Sequence, residues 1–177
     1  HAQLLIDEQR GRNMATARGV TVLGSLRILI EAKRRGLIDR AQPLLEAMLA
    51  AEEATRHRIV YADARVVVVC PFWSGTPYEM LVLPRAHEVH VTDAAPPDVA
   101  AVGRAIRTAL ARLRGCLGSV AYNLVFHTAP HRHAGPFHWH VHVLPRVTSV
   151  AGFEQGTGVL IDIVAPEIAA KHLSVVG

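Results

Sequence analysis

Cysteine is scarce: Cys70 and Cys116 are the two in 177 residues, and they show no framework spacing. That argues against a disulfide scaffold and makes a reducing compartment such as the cytoplasm the expected setting. Aromatic residues supply 5 % of the chain, so its core must be built mainly from Val, Leu, Ile and Ala. No apolar run approaches the roughly 20 residues that a membrane-crossing helix needs, and no signal-peptide pattern is present. Charge is sparse too, at 19 %, with a formal balance of +4 when histidines are counted neutral. Such a balance favours phosphorylated ligands without requiring nucleic acid.

What is present is apolar and patterned. Half the residues are hydrophobic, which suits one globular domain, or one with a small extra piece. Residues 4 to 50 read as helical. "LGSLRILIEAKRRG" carries apolar residues at 23, 26, 28, 29 and 30, then a basic end and Gly36, the expected signals of a helix C-terminus. "IDRAQPLLEAMLAAEEA" follows, with Asp39 placed to cap it and Leu44, Leu45, Met48 and Leu49 on one face.

Near Arg58 the pattern changes. "RVVVVCPF" and "YEMLVLP" read as short strands joined by turn chemistry at "GTP". "PPDVAAVGRAIRTALARLRGCLG" reads as a long helix that Pro96 or Pro97 starts and Gly115 or Gly118 stops. "VAYNLVFHTAP" and "FHWHVHVLP" read as two strands around a loop rich in Gly, Pro and His. "GVLIDIVAP" reads as a last strand and "PEIAAKHL" as a final short helix. Hairpin-connected strands with one long inserted helix and one terminal helix make an α+β class with an antiparallel sheet.

Histidine is concentrated. Six of the eleven fall between His127 and His142, and His138, His140 and His142 stand at every second position. Alternation along a strand puts those three on one face and Phe137, Trp139, Val141 and Val143 on the core face. Adjacent neutral imidazoles can bind a metal or carry nucleophilic and acid–base chemistry near neutral pH. The alternative is the polar face of a half-buried strand, but Ser, Thr, Lys and Glu usually supply such faces. His1, His57 and His172 are isolated and need no special role.

"FHWHVHVLPR" resembles the active-site strand of the histidine-triad (HIT) superfamily. "PFWSGTPYEMLVLPRAH", "AYNLVFHTAP", "FHWHVHVLPR", "AGFEQGTG" and "PEIAAKHL" occur in the order found in the C-terminal half of galactose-1-phosphate uridylyltransferases and related sugar-nucleotide phosphorylases. The resemblance covers about 52–177, leaving 1–51 as a separate helical segment. It implies a HIT-like sheet and either nucleotidyl transfer or nucleotide-phosphate hydrolysis on a nucleoside diphosphate sugar or sugar 1-phosphate, through a nucleotidyl–histidine intermediate. It also implies sites shared across a homodimer. Matched to a catalytic triad, His140 falls on the nucleophile, with His138 orienting it and His142 on phosphate or leaving-group oxygen. Asn123 and His87 match substrate-contacting positions, as do Gly152, Phe153 and Glu154 in "AGFE", although a solvated loop acid is an equal reading of Glu154.

A second carry-over competes with the first. In the uridylyltransferases the nucleophile sits in the N-terminal repeat, in a His-Pro-His-Gly-Gln stretch that this sequence lacks. In the C-terminal repeat the equivalent histidines are similar to a metal site, on which His127, His140 and His142 fall. Zinc or iron is the expected ion, and the chain would then be a non-catalytic, sugar-phosphate-binding half that needs a partner half. One lone pair on His140 cannot serve both roles.

Residues 1 to 50 resemble the C-terminal end of PIN-type nucleases: "IDE", the helix start "GSLR" and "AKRRGLI" follow that order, with Arg27 where a second Gly is usual. Such nucleases hold magnesium with several carboxylates. Asp7 alone cannot make that site, so a packing or contact role is expected, and Lys33, Arg34 and Arg35 are read as a solvated helix end rather than a nucleic-acid surface.

Overall fold

The computed structural model describes residues 3–5, 21–23, 50–132, 137–149, 151–157 and 161–176. The chain divides into two compact units, one of residues 1–50 with 150–161, the other of 51–149 with 162–177.

In the first unit, β1 (Gln3–Leu5) and β2 (Thr21–Leu23) pair in parallel. These six residues stand in a stretch read as helical, and there the reading is corrected. Thr21 and Val22 are β-branched and favour extended backbone. The rest of the expected N-terminal helices lies outside the described residues. A short helix α2 (Gly152–Thr157) belongs to the same unit.

The second unit is built on five strands: β3 (Ile59–Ala62), β4 (Val66–Val69), β5 (Met80–Pro84), β6 (Tyr122–His127) and β7 (His140–Pro145). Their order is β3-β4-β5-β7-β6, and every neighbouring pair is antiparallel. The expected antiparallel α+β fold is therefore present. The β3–β4 hairpin closes at Asp63, whose Oδ1 accepts the backbone N–H groups of Arg65 at 2.7 Å and Val66 at 2.9 Å. β3 itself had no place in the sequence reading, because four residues give too short a pattern to declare a strand.

Two helices cover one face of the sheet: α1 (Pro96–Leu117) and α3 (Pro166–Val175). α1 starts on its prolines and stops at Gly118, whose φ of 72° is a conformation that glycine adopts without strain. Its buried row is Ala101, Ala105, Ala109 and Leu113, each four residues from the last. Small side chains along that row let the helix lie close to Val66, Val68, Met80, Val82, Val141 and Val143. Trp139 is buried in the same core. The opposite face of β3, β4 and β5 carries a second apolar cluster of Ile59, Val67, Val69 and Leu81. Every residue of β4 is buried, which explains its unbroken valine run.

The described part of one expected strand is not a strand. Residues 161–165 of "GVLIDIVAP" are irregular, because Asp162 Oδ1 accepts the Val164 N–H at 3.0 Å and turns the chain locally. Among the described residues no helix is long and apolar enough to cross a membrane.

Candidate functional site

β6 and β7 bring the histidines together through register. His127 stands directly opposite His140, and Val125 opposite His142. Residues two apart share a face, so His127, His140 and His142 project from the same side of the sheet. One ligand nitrogen from each of the three lies within 4.8 Å of the other two. The His127 and His140 rings stack at 4.8 Å with an interplanar angle of 8°, and His142 stands 4.6 Å from His127 and 5.2 Å from His140 between centroids.

The hydrogen bonds fix which nitrogens face inward. His140 Nδ1 donates to the carbonyl of His138 at 2.9 Å. That leaves Nε2 of neutral His140 with the lone pair. Burial pushes the His140 ring down to about 4, helped by the neighbouring imidazoles and opposed by the bond to His138, so the ring is neutral near pH 7. Burial also lowers His127, with His142 adding to the effect. His142 Nδ1 meets Glu79 Oε1 at 3.1 Å, and Glu79 is itself buried. Ligating histidines characteristically give their second ring N–H to a carbonyl or carboxylate. Glu79 was not singled out in the sequence. Its signal is that it precedes a strand of buried apolar residues as a lone acid in "YEMLVLP".

His138 separates from the other members of the run. It precedes β7, and its Nε2 donates to the Pro84 carbonyl at 2.8 Å. Its Nδ1 then accepts from His87 Nδ1 at 3.1 Å. Burial holds His138 below the ordinary histidine value. His138 is thus held apart from the three-histidine cluster: it lies before the ladder, which begins at His140, although Trp139 already shares the core side with Val141 and Val143. Phe137, also before the ladder and expected in the core, stacks against His140 at 6.2 Å.

The other expected site residues fall on different elements. His87 joins His138 rather than the three-histidine cluster. Asn123 is exposed on the histidine face, opposite Leu144 and four residues from His127, roughly 14 Å along the strand. Gly152 and Glu154 lie in α2, in the other unit. Glu154 is no solvated loop acid: it is buried, and its oxygens accept the Ala151 N–H at 2.7 Å and the Ile161 N–H at 3.3 Å. The side chain of Phe153 lies outside the described residues.

The donor chemistry fits a transition metal such as zinc or iron. Imidazole nitrogens suit both ions, desolvation keeps two of the rings in the neutral form that binds metal, and the second ring nitrogens of His140 and His142 are already occupied.

Comparison with known proteins agrees with this architecture. The chain is 29 % identical over 124 residues to ADP-glucose phosphorylase of Arabidopsis thaliana, a match covering 68 % of this chain and 35 % of that protein. It is 27 % identical over 113 residues to galactose-1-phosphate uridylyltransferase of Haemophilus influenzae, covering 62 % of this chain and 32 % of that one. The solved structure of the Arabidopsis thaliana ADP-glucose phosphorylase with bound ADP-glucose superimposes with a TM-score of 0.62 at 31 % identity, over 71 % of this chain and 42 % of that chain. The chain thus spans about a third of the length of these curated relatives. Residues 1–64 match a PIN domain family. Residues 52–149, more than half of the chain, match the HIT domain, and the chain belongs to the HIT domain family.

Proposed function

We propose that this HIT domain is the sugar-phosphate-handling half of a nucleotidyltransferase acting on nucleotide sugars, with His127, His140 and His142 holding zinc or iron. The substrate class comes from the relatives, which include an ADP-glucose phosphorylase and a uridylyltransferase. The observation that carries the metal role is the convergence of three ligand nitrogens within 4.8 Å of one another. A metal there would tie β6 to β7 and place positive charge on the sheet face that a phosphate would approach. The chain's own residues hold the site in order: His138 through its carbonyl, Glu79 through its carboxylate.

A second reading makes His140 the nucleophile. The bond from its Nδ1 to the His138 carbonyl favours it, since that bond presents a neutral Nε2 lone pair. The two roles use the same electrons and are mutually exclusive.

One experiment separates them. The purified protein is analysed for metal, then incubated with a nucleoside diphosphate sugar labelled at the α-phosphorus. The metal role predicts about one zinc or iron per chain, lost in His127→Ala, and no acid-labile label on the protein. A label abolished by His140→Asn would replace it with the nucleophile reading. Neither metal nor label would overturn both.

A further inference from the structure

We propose that Glu79 is a positioning residue that sets the tautomer and direction of His142, so that the His142 Nε2 lone pair points into the three-histidine cluster. The metal consequence of this rests on the reading above; the tautomer does not. Glu79 is 6 % exposed, yet its carboxylate is committed at both oxygens. Oε1 faces His142 Nδ1 at 3.1 Å, and Oε2 accepts the Gly75 N–H at 2.8 Å. A carboxylate oxygen only accepts, so His142 must carry its hydrogen on Nδ1. The lone pair then falls on Nε2.

The backbone around Glu79 is built to hold it there. Leu81 stands directly opposite His142, and Glu79 lies two residues before it. Tyr78, immediately before Glu79, has a φ of 62°, a left-handed conformation that a bulky residue adopts only under constraint from its surroundings. Its ring is buried in the helix-side core and its hydroxyl bonds to His172 Nδ1 on α3 at 3.0 Å. Tyr78 is thereby pinned on one side of the sheet while Glu79 meets His142 on the other. Orientation of a ligating imidazole by an outer carboxylate typically changes metal affinity 10- to 100-fold.

The test uses the full chain with two substitutions. In the metal-free protein, long-range proton–nitrogen NMR should show His142 protonated on Nδ1. Glu79→Ala should shift it to a mixed or Nε2-protonated form. Glu79→Gln, which keeps the shape and an acceptor oxygen, guards against misfolding and should retain the Nδ1 form. Zinc affinity, read by chelator competition, should fall roughly 10-fold or more in Glu79→Ala. An unchanged His142 tautomer in a folded Glu79→Ala protein would overturn the proposal. If the wild type binds no zinc, the metal reading fails while the tautomer result still decides the role of Glu79.

Discussion

His140 donates its Nδ1 hydrogen to the carbonyl of His138 at 2.9 Å, so the first histidine of the alternating run holds the second through its backbone. The ring of that same His138 is fixed between the Pro84 carbonyl and His87. His138 is therefore a support, and the lone pair presented beside it is on His140 Nε2.

The site's composition predicts which histidines matter for metal. If the three histidines hold metal as proposed, His142→Ala should lower the ion content from about one per chain to little or none, because two imidazoles are too few to hold zinc tightly. His131→Ala, an exposed loop position, should leave metal content unchanged. Elemental analysis of the purified variants checks both.

The hairpin at Asp63 predicts an acid-sensitive contribution to stability. The N–H groups of Arg65 and then Val66, with the Tyr61 hydroxyl, hold the Asp63 carboxyl below its ordinary 3.8. The charged form is favoured in the folded state, so this stabilisation is full above pH 3.8 and is lost as pH falls through the lower folded value. Asp63→Ala should cost roughly 1 kcal/mol near neutral pH. Urea unfolding should show the gap to wild type narrowing as pH drops toward about 3.

The cysteines predict an ordered reactivity. Cys70 is fully buried, and burial with nearby carboxylates pushes its thiol up to about 12. Cys116 is partly exposed. At mildly alkaline pH a thiol reagent should label Cys116 in the native protein and reach Cys70 only on unfolding. Peptide mass spectrometry identifies the site; early labelling of Cys70 would contradict its burial.

The close approach of α1 to the sheet predicts sensitivity to volume. Ala105 has no exposed surface and lies mid-row between Ala101 and Ala109. Ala105→Leu should destabilise by about 1–3 kcal/mol through overpacking. Ala100→Leu, on the exposed side of the same helix, should be near neutral. Thermal melts of the pair distinguish packing from helix propensity.

The sequence by itself determined the local elements of the second unit. Pro96 and Gly118 bound α1 because one fixes φ and the other permits φ of 72°. The valine run and "YEMLVLP" are strands because β-branched residues fill a buried pleat. The local density of histidine and the alternation of His138, His140 and His142 make this stretch a candidate site from sequence alone. Tertiary structure alone decided how those histidines divide. His127 meets His140 only because β6 pairs with β7 in one register, and a slip of one residue would put its ring on the other face. Glu79 reaches His142 across 63 positions of chain because β5 lies beside β7. Side-chain periodicity encodes which face a residue takes along its own strand. It carries no information about which strand lies next to it, since strand pairing depends on contacts between residues far apart in the chain.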